Sequence, residues 1–287
     1  MRRARGTRVS QLSHRRLLVK LGGAQLEEPG ARLTVARALA AARAAGHELV
    51  VVHGGGNQIR ALTKQLGIAD RYHEGLRITD AETAEVVLMV LAGLVNKVLV
   101  ADLQSVGVAA LGLCGADGAL FSARKLEGAV DLGYVGEVDA VDARPARALL
   151  AAGYVPVVAT VAPLSHGRAG ARERFYNINA DMAVGPLARA LACDAVLFLT
   201  DVPGVLDADK QRLARLTHED CAALRATGVV AGGMIPKVAS ALAALDAHPS
   251  ALVKIAPAAG ANAVLDALGD GVGTRFSSAA LATRSSP

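Results

Sequence analysis

Short aliphatic runs that end in glycine recur along the chain and predict buried strands followed by tight turns. The first run, 17–21, leads into Gly22 and Gly23, and the second, 49–52, leads towards the glycines 54–56. In open parallel sheets, ligands lie beyond the carboxyl ends of the strands, where glycine lets backbone N–H groups approach an anion closely. The pattern therefore predicts an anion-binding edge on an α/β sheet.

Around these runs, apolar residues return at helical or strand spacing and predict alternating elements. The predicted helices each carry an apolar stripe: 28–45, 57–66, 81–103, 143–152, 181–192, 218–226, 238–247 and a short last helix. The other aliphatic or strand-like runs are 106–113, 132–138, 154–160, 195–200 and 251–255. This alternation predicts the α/β class, with a three-layer αβα sandwich around a mostly parallel open sheet.

The helix predicted over 81–103 has an unusually wide apolar face, and Asp80 is its expected N-cap. A helix this apolar is either buried in the core or shared with a partner chain. We therefore expect a contact between two copies of the chain on this helix.

The chain has 287 residues, of which 52% are hydrophobic, so it can bury a large core as one α/β domain or two lobes. Aliphatic runs such as 86–91 and 155–161 are far shorter than the ~20 residues that a membrane-spanning helix needs, and no span is expected. The basic N-terminus is followed by neither an apolar stretch nor a small-residue cleavage site. These features predict a cytoplasmic protein.

The net charge of +5 is concentrated in two basic segments, 2–16 and 168–174. Aromatic residues make up only 3% of the chain and tryptophan is absent, so stacking surfaces for nucleic acid are scarce and no nucleic-acid partner is expected. The two segments are interpreted as a solvated tail and a basic loop, and the functional alternative is a positive field that favours anionic substrates. The three cysteines lack paired spacing, and the seven histidines lack zinc-ligand spacing, so inert thiols and no protein metal site are expected.

Lys20 follows the first aliphatic run and stands beside the first glycine pair. A lysine at a strand end next to a glycine turn indicates a phosphate site. It is not the usual P-loop, because the sequence contains no G-x-x-x-x-G-K-[ST] motif. The combination points to phosphoryl transfer.

Seven motifs resemble, in the same order, those of the acetylglutamate kinases in the amino-acid kinase superfamily. They are Val19-Lys20-Leu21-Gly22-Gly23, His53-Gly54-Gly55-Gly56, Gly75-Leu76-Arg77-Ile78-Thr79-Asp80, Leu91-Ala92-Gly93-Leu94-Val95-Asn96-Lys97, Asn177-Ile178-Asn179-Ala180-Asp181, Thr200-Asp201-Val202-Pro203-Gly204-Val205 and Gly233-Met234-Ile235-Pro236-Lys237-Val238. One glycine motif alone would be weak, but the ordered set over 17–274 is specific. The resemblance implies the amino-acid kinase fold and ATP-dependent phosphorylation of the γ-carboxylate of N-acetyl-L-glutamate, which gives N-acetyl-L-glutamyl 5-phosphate in arginine biosynthesis.

The resemblance also implies the catalytic residues. Lys20 and Lys237 would flank the transferring phosphoryl group, and Asp181 would hold the two lysines by charge-assisted hydrogen bonds. Chemistry agrees with this set, because a carboxylate nucleophile is already ionised and the difficulty lies in bringing two anions together. Pro236 suits the first turn of a helix, which would place Lys237 near a helix N-terminus that attracts phosphate.

The remaining family positions divide between the two substrates. For acetylglutamate they are Arg77, as a bidentate partner of the α-carboxylate, with Gly55, Gly56 and Asn177. For ATP they are Gly22, Gly23, Asp201, Val202, Pro203, Gly204, Val205, Leu206, Val229, Val230 and Ala231. Mg²⁺ is expected to arrive with ATP, held mainly by phosphate oxygens and water. His53 is interpreted as a packing or hydrogen-bonding residue rather than a general base.

The resulting division of the chain is a basic leader over 1–16, an acetylglutamate-binding and dimerising lobe over 17–194, an ATP-binding lobe over 195–276 and a flexible tail over 277–287. Arginine-sensitive members of the family that the chain resembles form hexamers through a longer N-terminal helix and carry an aromatic residue after the first lysine. Here Leu21 follows Lys20, and the leader is short and lacks aromatic residues, so the resemblance implies an arginine-insensitive homodimer rather than a hexamer. The segment 271–274, however, resembles a pattern found in arginine-sensitive members of the family, which favours arginine sensitivity and a hexamer.

Three alternatives were weighed. A kinase of aminoadipate or glutamate linked to a carrier protein would keep both lysines and Asp181, and the basic loop Arg168–Arg174 could attract an acidic carrier. A non-catalytic amino-acid sensor on the same fold is the second. The third is an esterase, because His-Gly-Gly-Gly also occurs as an oxyanion-hole motif in esterases. This alternative is disfavoured, since those enzymes also need a G-x-S-x-G nucleophile turn, which the sequence lacks.

Overall fold

The computed structural model of the chain describes residues 14–165 and 175–278. The greater part of the predicted leader and tail, and the whole basic loop Arg168–Arg174, lie outside these ranges. Claims about those segments therefore stay predictions.

The strands are short and separated by helices or tight turns. They are β1 (Arg16–Leu21), β2 (Glu48–His53), β3 (Tyr72–His73), β4 (Leu76–Arg77), β5 (Ala110–Leu113), β6 (Phe121–Lys125), β7 (Val135–Val141), β8 (Val155–Ala159), β9 (Val161–Pro163), β10 (Phe175–Ile178), β11 (Ala195–Thr200), β12 (Arg215–Leu216), β13 (Leu252–Pro257) and β14 (Thr274–Phe276).

The helices are α1 (Ala24–Glu27), α2 (Pro29–Ala44), α3 (Gly56–Gln65), α4 (Ala81–Leu88), α5 (Asn96–Ser105), α6 (Arg144–Ala151), α7 (Ala180–Leu191), α8 (His218–Ala226), α9 (Met234–Ala247) and α10 (Ala263–Leu268). A π-helical segment, Met89–Val95, joins α4 to α5, and a 3₁₀ turn covers Asp117–Ala119.

One eight-stranded sheet forms the centre of the molecule, in the order β12-β14-β13-β11-β1-β2-β8-β5. Neighbouring strands run parallel except β13 and β14, which are antiparallel. Side chains alternate between the two faces: Leu17 and Val19 of β1 pack in the core with α2 and α5, whereas Leu18 packs in the core with α7 and α9. The predicted three-layer sandwich is confirmed.

Within the described ranges, two smaller sheets lie outside the main sheet, and not all of their strands are predictable from the sequence. The four-stranded sheet has the order β6-β7-β10-β9, and β3 pairs with β4 in a two-residue hairpin. The sequence over 162–174 is polar and contains glycine, which predicts a loop, but Ala162 and Pro163 lie in β9 instead. The prediction was wrong there because a three-residue strand is too short to show an alternating pattern.

Residues 81–105 form one continuous helical rod that is long and apolar enough to cross a membrane by length and composition alone. The sequence predicts no such helix because its aliphatic runs, such as 86–91, are short. Polar residues separate these runs, but the helix continues through them. In the fold, the rod packs against α2, β5 and β8 and contributes Val87, Leu99 and Leu103 to the core. The predicted N-cap is confirmed, because the Asp80 carboxylate accepts a hydrogen bond from Thr83 N–H at 2.9 Å.

Burial of α2 against the sheet generates a stability prediction. Leu39 on α2 is fully buried, whereas Leu66 at the end of α3 is 55% exposed. We expect Leu39→Ala to lower the free energy of unfolding by about 3 kcal/mol, because it removes a packed side chain and leaves a cavity. Leu66→Ala should cost less than about 0.5 kcal/mol. Chemical denaturation measures both, and equal losses would contradict this packing.

Candidate active site

A pocket of about 220 Å³ lies at the carboxyl edge of the main sheet. The glycine turns that follow β1 and β2 form one wall, and the segment that joins β10 to α7 forms another. The pocket also touches the β3–β4 hairpin. Its lining includes Lys20, Gly22, Gly23, Gly55, Gly56, Arg77, Asn177 and Asp181, which the sequence analysis assigned to catalysis or binding.

The Lys20 ammonium contacts the Asp181 carboxylate, with 2.6 Å between Nζ and Oδ1. Strand alternation places Lys20 on the face of the sheet that carries α7, and Asp181 is the second residue of that helix. Asn179 caps α7 by accepting a hydrogen bond from Asp181 N–H at 2.9 Å. The two side chains are only 9% and 16% exposed, so each charge depends on the other for compensation.

The glycine turn after β2 leads directly into α3, whose first residue is Gly56. Gly55 has an extended φ of 168°, so its requirement for glycine is steric. A Cβ at Gly55 would lie 2.8 Å from Leu91 Cδ2 and 3.0 Å from Val95 Cγ2. The π-helical segment therefore presses on the back of the glycine turn that lines the pocket.

Arg77 is buried, and its guanidinium is held on three sides. Nη2 donates to the Gly56 carbonyl at 2.9 Å, Nη1 pairs with the Asp70 carboxylate, and the group lies 4.9 Å from the ring centroid of Tyr72. Burial lowers the pKa of Arg77 to about 10, which leaves it charged at neutral pH. The predicted role of Arg77 thus has two supporting residues, Asp70 and Tyr72, that sequence reasoning missed.

The β3–β4 hairpin sets the position of this arginine. Glu74 and Gly75, the two residues of its turn, both have positive φ, at 48° and 81°, as a tight two-residue hairpin turn requires. The Glu-Gly pair between Tyr72-His73 and Leu76-Arg77 was the available signal, but two-residue strands give no periodicity to support it.

Asn177 is tied to the same hairpin through Thr79. Its Nδ2 donates to Thr79 Oγ1 at 3.2 Å, and Thr79 Oγ1 donates to the Arg77 carbonyl at 2.9 Å. Arg77 and Asn177, the polar residues predicted for the acetylglutamate site, therefore line one pocket and are connected by hydrogen bonds through Thr79.

Comparisons with known proteins show the family to which the chain belongs. The amino acid kinase family model matches residues 15–254. The acetylglutamate kinase of Acidobacterium capsulatum is 44% identical over 249 residues, which cover 87% of this chain and 93% of that protein. This chain belongs to the acetylglutamate kinase family. The enzyme of that name from Brucella anthropi is 43% identical over 248 residues, covering 83% of this chain and 82% of that protein. The solved structure of smu.665 from Streptococcus mutans UA159 is similar with a TM-score of 0.76 at 28% identity, covering 92% of this chain and 99% of that chain.

The positions that this kinase family suggests for the nucleotide follow two neighbouring strands. Gly22 and Gly23 follow β1 and line the pocket, and Asp201–Leu206 follows the adjacent β11. Gly204 has a φ of 145°, and a Cβ there would lie 2.6 Å from Thr274 Oγ1. The same hydroxyl accepts from Val205 N–H at 2.8 Å and donates to the Leu213 carbonyl at 2.6 Å, which fixes the turn.

Two predicted groups lie away from this pocket. Val229–Ala231 precedes α9, where Val230 N–H donates to the Leu224 carbonyl at 3.0 Å and its side chain is buried. Lys237 lies in the first turn of α9, and its Nζ reaches back to the Gly233 carbonyl at 3.4 Å. Among the described residues Asp181 pairs with Lys20 and not with Lys237. The role of Lys237 therefore stays a prediction.

His53 at the end of β2 is fully buried and faces away from the pocket, towards α5. Its Nδ1 lies 2.9 Å from the Gly54 carbonyl, and its Nε2 lies 3.0 Å from Asn96 Nδ2. Burial is the main cause that lowers its pKa from 6.5 to about 4. A neutral, doubly hydrogen-bonded ring agrees with the predicted packing role.

The lowered pKa of His53 predicts how stability depends on pH. Below its unfolded pKa of 6.5 the unfolded chain binds a proton that the native state binds only near pH 4. Stability is therefore full above pH 6.5 and falls as the pH drops towards 4, by about 3 kcal/mol from this group. Urea unfolding at several pH values should show a flatter dependence in His53→Leu. An unchanged slope would contradict a buried neutral histidine.

Proposed function

We propose that this chain transfers the γ-phosphoryl group of ATP to the side-chain carboxylate of N-acetyl-L-glutamate, in arginine biosynthesis. The observation that carries the proposal is a single pocket lined by a lysine–aspartate pair, a buried arginine and two glycine turns. Family membership supports the same substrate, because the acetylglutamate kinases of Acidobacterium capsulatum and Brucella anthropi match most of the chain.

The reaction needs charge neutralisation more than it needs a base. A carboxylate oxygen forms the new P–O bond while the bond from the γ-phosphorus to the ADP oxygen breaks, and the carboxylate has no proton to lose. Lys20 offsets the charge on the transferring group, and Asp181 holds the ammonium in place. Arg77 offers its remaining N–H groups to the α-carboxylate and so orients the substrate.

The nucleotide fits the edge formed by the turns after β1 and β11. We assign its phosphates to Gly22, Gly23 and the Asp201–Leu206 turn, with Val229–Ala231 nearer the base. Lys237, at the start of α9, has a flexible stem, and we assign it to the phosphoryl group opposite Lys20. Asp181 would then hold Lys237 as well once the substrates are bound.

Mg²⁺ enters this proposal with ATP. The described residues contain no group of three or more His, Cys, Asp or Glu side chains that could hold a metal ion. We expect the ion to be held chiefly by phosphate oxygens and water, which Mg²⁺ usually prefers. When bound, the ion would supply further neutralisation of phosphate charge.

We also propose that the enzyme is cytoplasmic. The apolar rod over 81–105 is accounted for by packing, since it lies on the central sheet and shares the core with α2.

The alternative of a carrier-linked substrate depends on Arg168–Arg174, which lie outside the described residues.

Trapping of the acyl phosphate by hydroxylamine tests the activity. With ATP and Mg²⁺, we expect hydroxamate from N-acetyl-L-glutamate and none from free glutamate or aminoadipate. Lys20→Ala should lower kcat by about 100- to 1,000-fold, because it removes the cation nearest the developing charge. Lys64→Ala, at an exposed lysine of α3, is the matched control and should leave kcat unchanged.

Hydroxamate from none of the free amino acids would overturn this substrate assignment. It would favour a carrier-linked substrate or a non-catalytic sensor. Equal activity of Lys20→Ala and wild type would overturn the role given to Lys20.

A homodimer is the assembly that the exposed apolar residues favour. Met89 and Leu94 of the π-helical segment are 55% and 56% exposed, and Leu111 of β5 is 40% exposed. Strand β5 is also an edge of the main sheet. An apolar helix face beside an open edge strand is suited to a second copy of the chain, which would cover both.

Mass measurement in solution tests this assembly. We expect wild type at twice 29.3 kDa, and Leu94→Asp as a monomer at micromolar concentration, because a buried charge opposes association. Leu66→Asp, on the exposed end of α3, should remain dimeric. A monomeric or hexameric wild type, or dissociation by Leu66→Asp alone, would contradict the proposal.

A further inference from the structure

A chain of hydrogen bonds that starts in the core and ends at the exposed Lys97 runs behind the glycine turn and takes no direct part in the proposed reaction. It connects the Gly54 carbonyl, the His53 ring, the Asn96 amide and the Lys97 ammonium. His53 and Asn96 are both fully buried. Burying a polar side chain lowers the stability of the fold unless a hydrogen-bond partner is present. We therefore ask what these two buried polar residues do for the site.

The partners determine the tautomer of His53. A carbonyl oxygen only accepts, so the contact of 2.9 Å with Gly54 requires the proton on Nδ1. The neutral ring then accepts at Nε2 from the Asn96 amide, 3.0 Å away. Burial lowers the pKa of His53 to about 4, which keeps the ring neutral at physiological pH.

Asn96 is itself fixed by the surrounding sheet. Its Nδ2 also donates to the Val157 carbonyl of β8 at 2.9 Å, and its Oδ1 accepts from Lys97 Nζ at 3.0 Å. Lys97 reaches on to the Gly112 carbonyl of β5 at 3.2 Å. A Cβ at Gly112 would lie 1.8 Å from Asn96 Oδ1, so any larger residue at position 112 would displace the amide.

The bond from His53 to the Gly54 carbonyl sets the direction of the next N–H group. In a planar trans peptide, the carbonyl of Gly54 and the N–H of Gly55 point in opposite directions. The carbonyl points at the buried His53, so the Gly55 N–H points away from it. Among the described residues this N–H has no protein acceptor, and Gly55 lines the pocket.

We propose that His53 and Asn96 are positioning residues that orient the Gly54–Gly55 peptide, so that the Gly55 N–H serves as an anion donor in the pocket. The inference rests on the proposed function, because it takes the pocket to be the acetylglutamate site. The π-helical segment completes the support: Leu91 and Val95 press on Gly55, and Asn96 follows directly in the same rod. A π-helical turn offsets the residues beyond it, and such turns are frequent at functional sites.

Steady-state kinetics of His53→Leu, Asn96→Leu and the double variant test the proposal. Each single variant should lower kcat/KM for N-acetyl-L-glutamate at least 10-fold, while the KM for ATP changes less than 2-fold. The double variant should lose no more than the larger single loss, because both residues act through one peptide. Leu99→Ala, at a fully buried leucine of α5, is the control: it should lower Tm and leave kcat/KM within 2-fold.

Additive losses, or a loss in Leu99→Ala equal to that in Asn96→Leu, would show a merely structural role and overturn the proposal. A ¹⁵N NMR spectrum of labelled wild-type histidines is the second measurement and needs no variant to be active. The His53 signal, assigned in wild type by through-bond correlation of the ring with its own backbone, should show a protonated Nδ1 and a bare Nε2. A protonated Nε2 would overturn the proposal even where the leucine variants fail to fold.

The two measurements also separate this inference from the function on which it rests. Amide hydrogen exchange of Gly55 is added for this purpose. If wild type is inactive on acetylglutamate but shows the expected tautomer and an unbonded Gly55 N–H, the acetylglutamate assignment is overturned and the positioning of the peptide is retained. A wild type active on acetylglutamate with the opposite tautomer would overturn the inference alone.

Discussion

The contact between Lys20 and Asp181 is the interaction on which the site depends. It joins the end of β1 to the first turn of α7, two elements far apart in sequence, and it brings opposite charges together where water is largely excluded. Loss of one partner from such a pair leaves an uncompensated charge and typically costs about 3–5 kcal/mol. The lysine is consequently held in one place before any substrate arrives, and the electrostatic stabilisation of a phosphoryl group requires such a fixed cation.

Sheet topology supplies the rest of the pocket around this pair. Strands β1, β2, β8 and β11 are parallel neighbours, so the turns that follow them meet at one edge. The turns after β1 and β2 carry glycine and leave backbone N–H groups accessible to anions. The β3–β4 hairpin adds a buried cation, Arg77, from outside the main sheet. Three anionic groups, two of the acceptor and one of the donor, can thus be received by separate positive or N–H-bearing groups.

Sequence reasoning predicted the sheet, its layers and eight of the residues that line the pocket, because strand-ending glycines and an ordered set of motifs carry that information locally. It missed Asp70 and Tyr72, since their importance comes from contacts with Arg77 across a hairpin of two-residue strands. The π-helical segment was also missed, because its apolar residues continue the pattern of an ordinary helix. The link from His53 to Asn96 exists only once β2 and α5 pack together, and no spacing along the chain encodes it.

A crystal structure of the enzyme with N-acetyl-L-glutamate and a non-hydrolysable ATP analogue would show how the pocket receives both substrates. We expect the α-carboxylate on Arg77, and the side-chain carboxylate between the Gly55 N–H and the terminal phosphate beside Lys20. Acetylglutamate bound in the opposite orientation, or outside the pocket formed by Lys20, Arg77 and the glycine turns, would contradict this expectation.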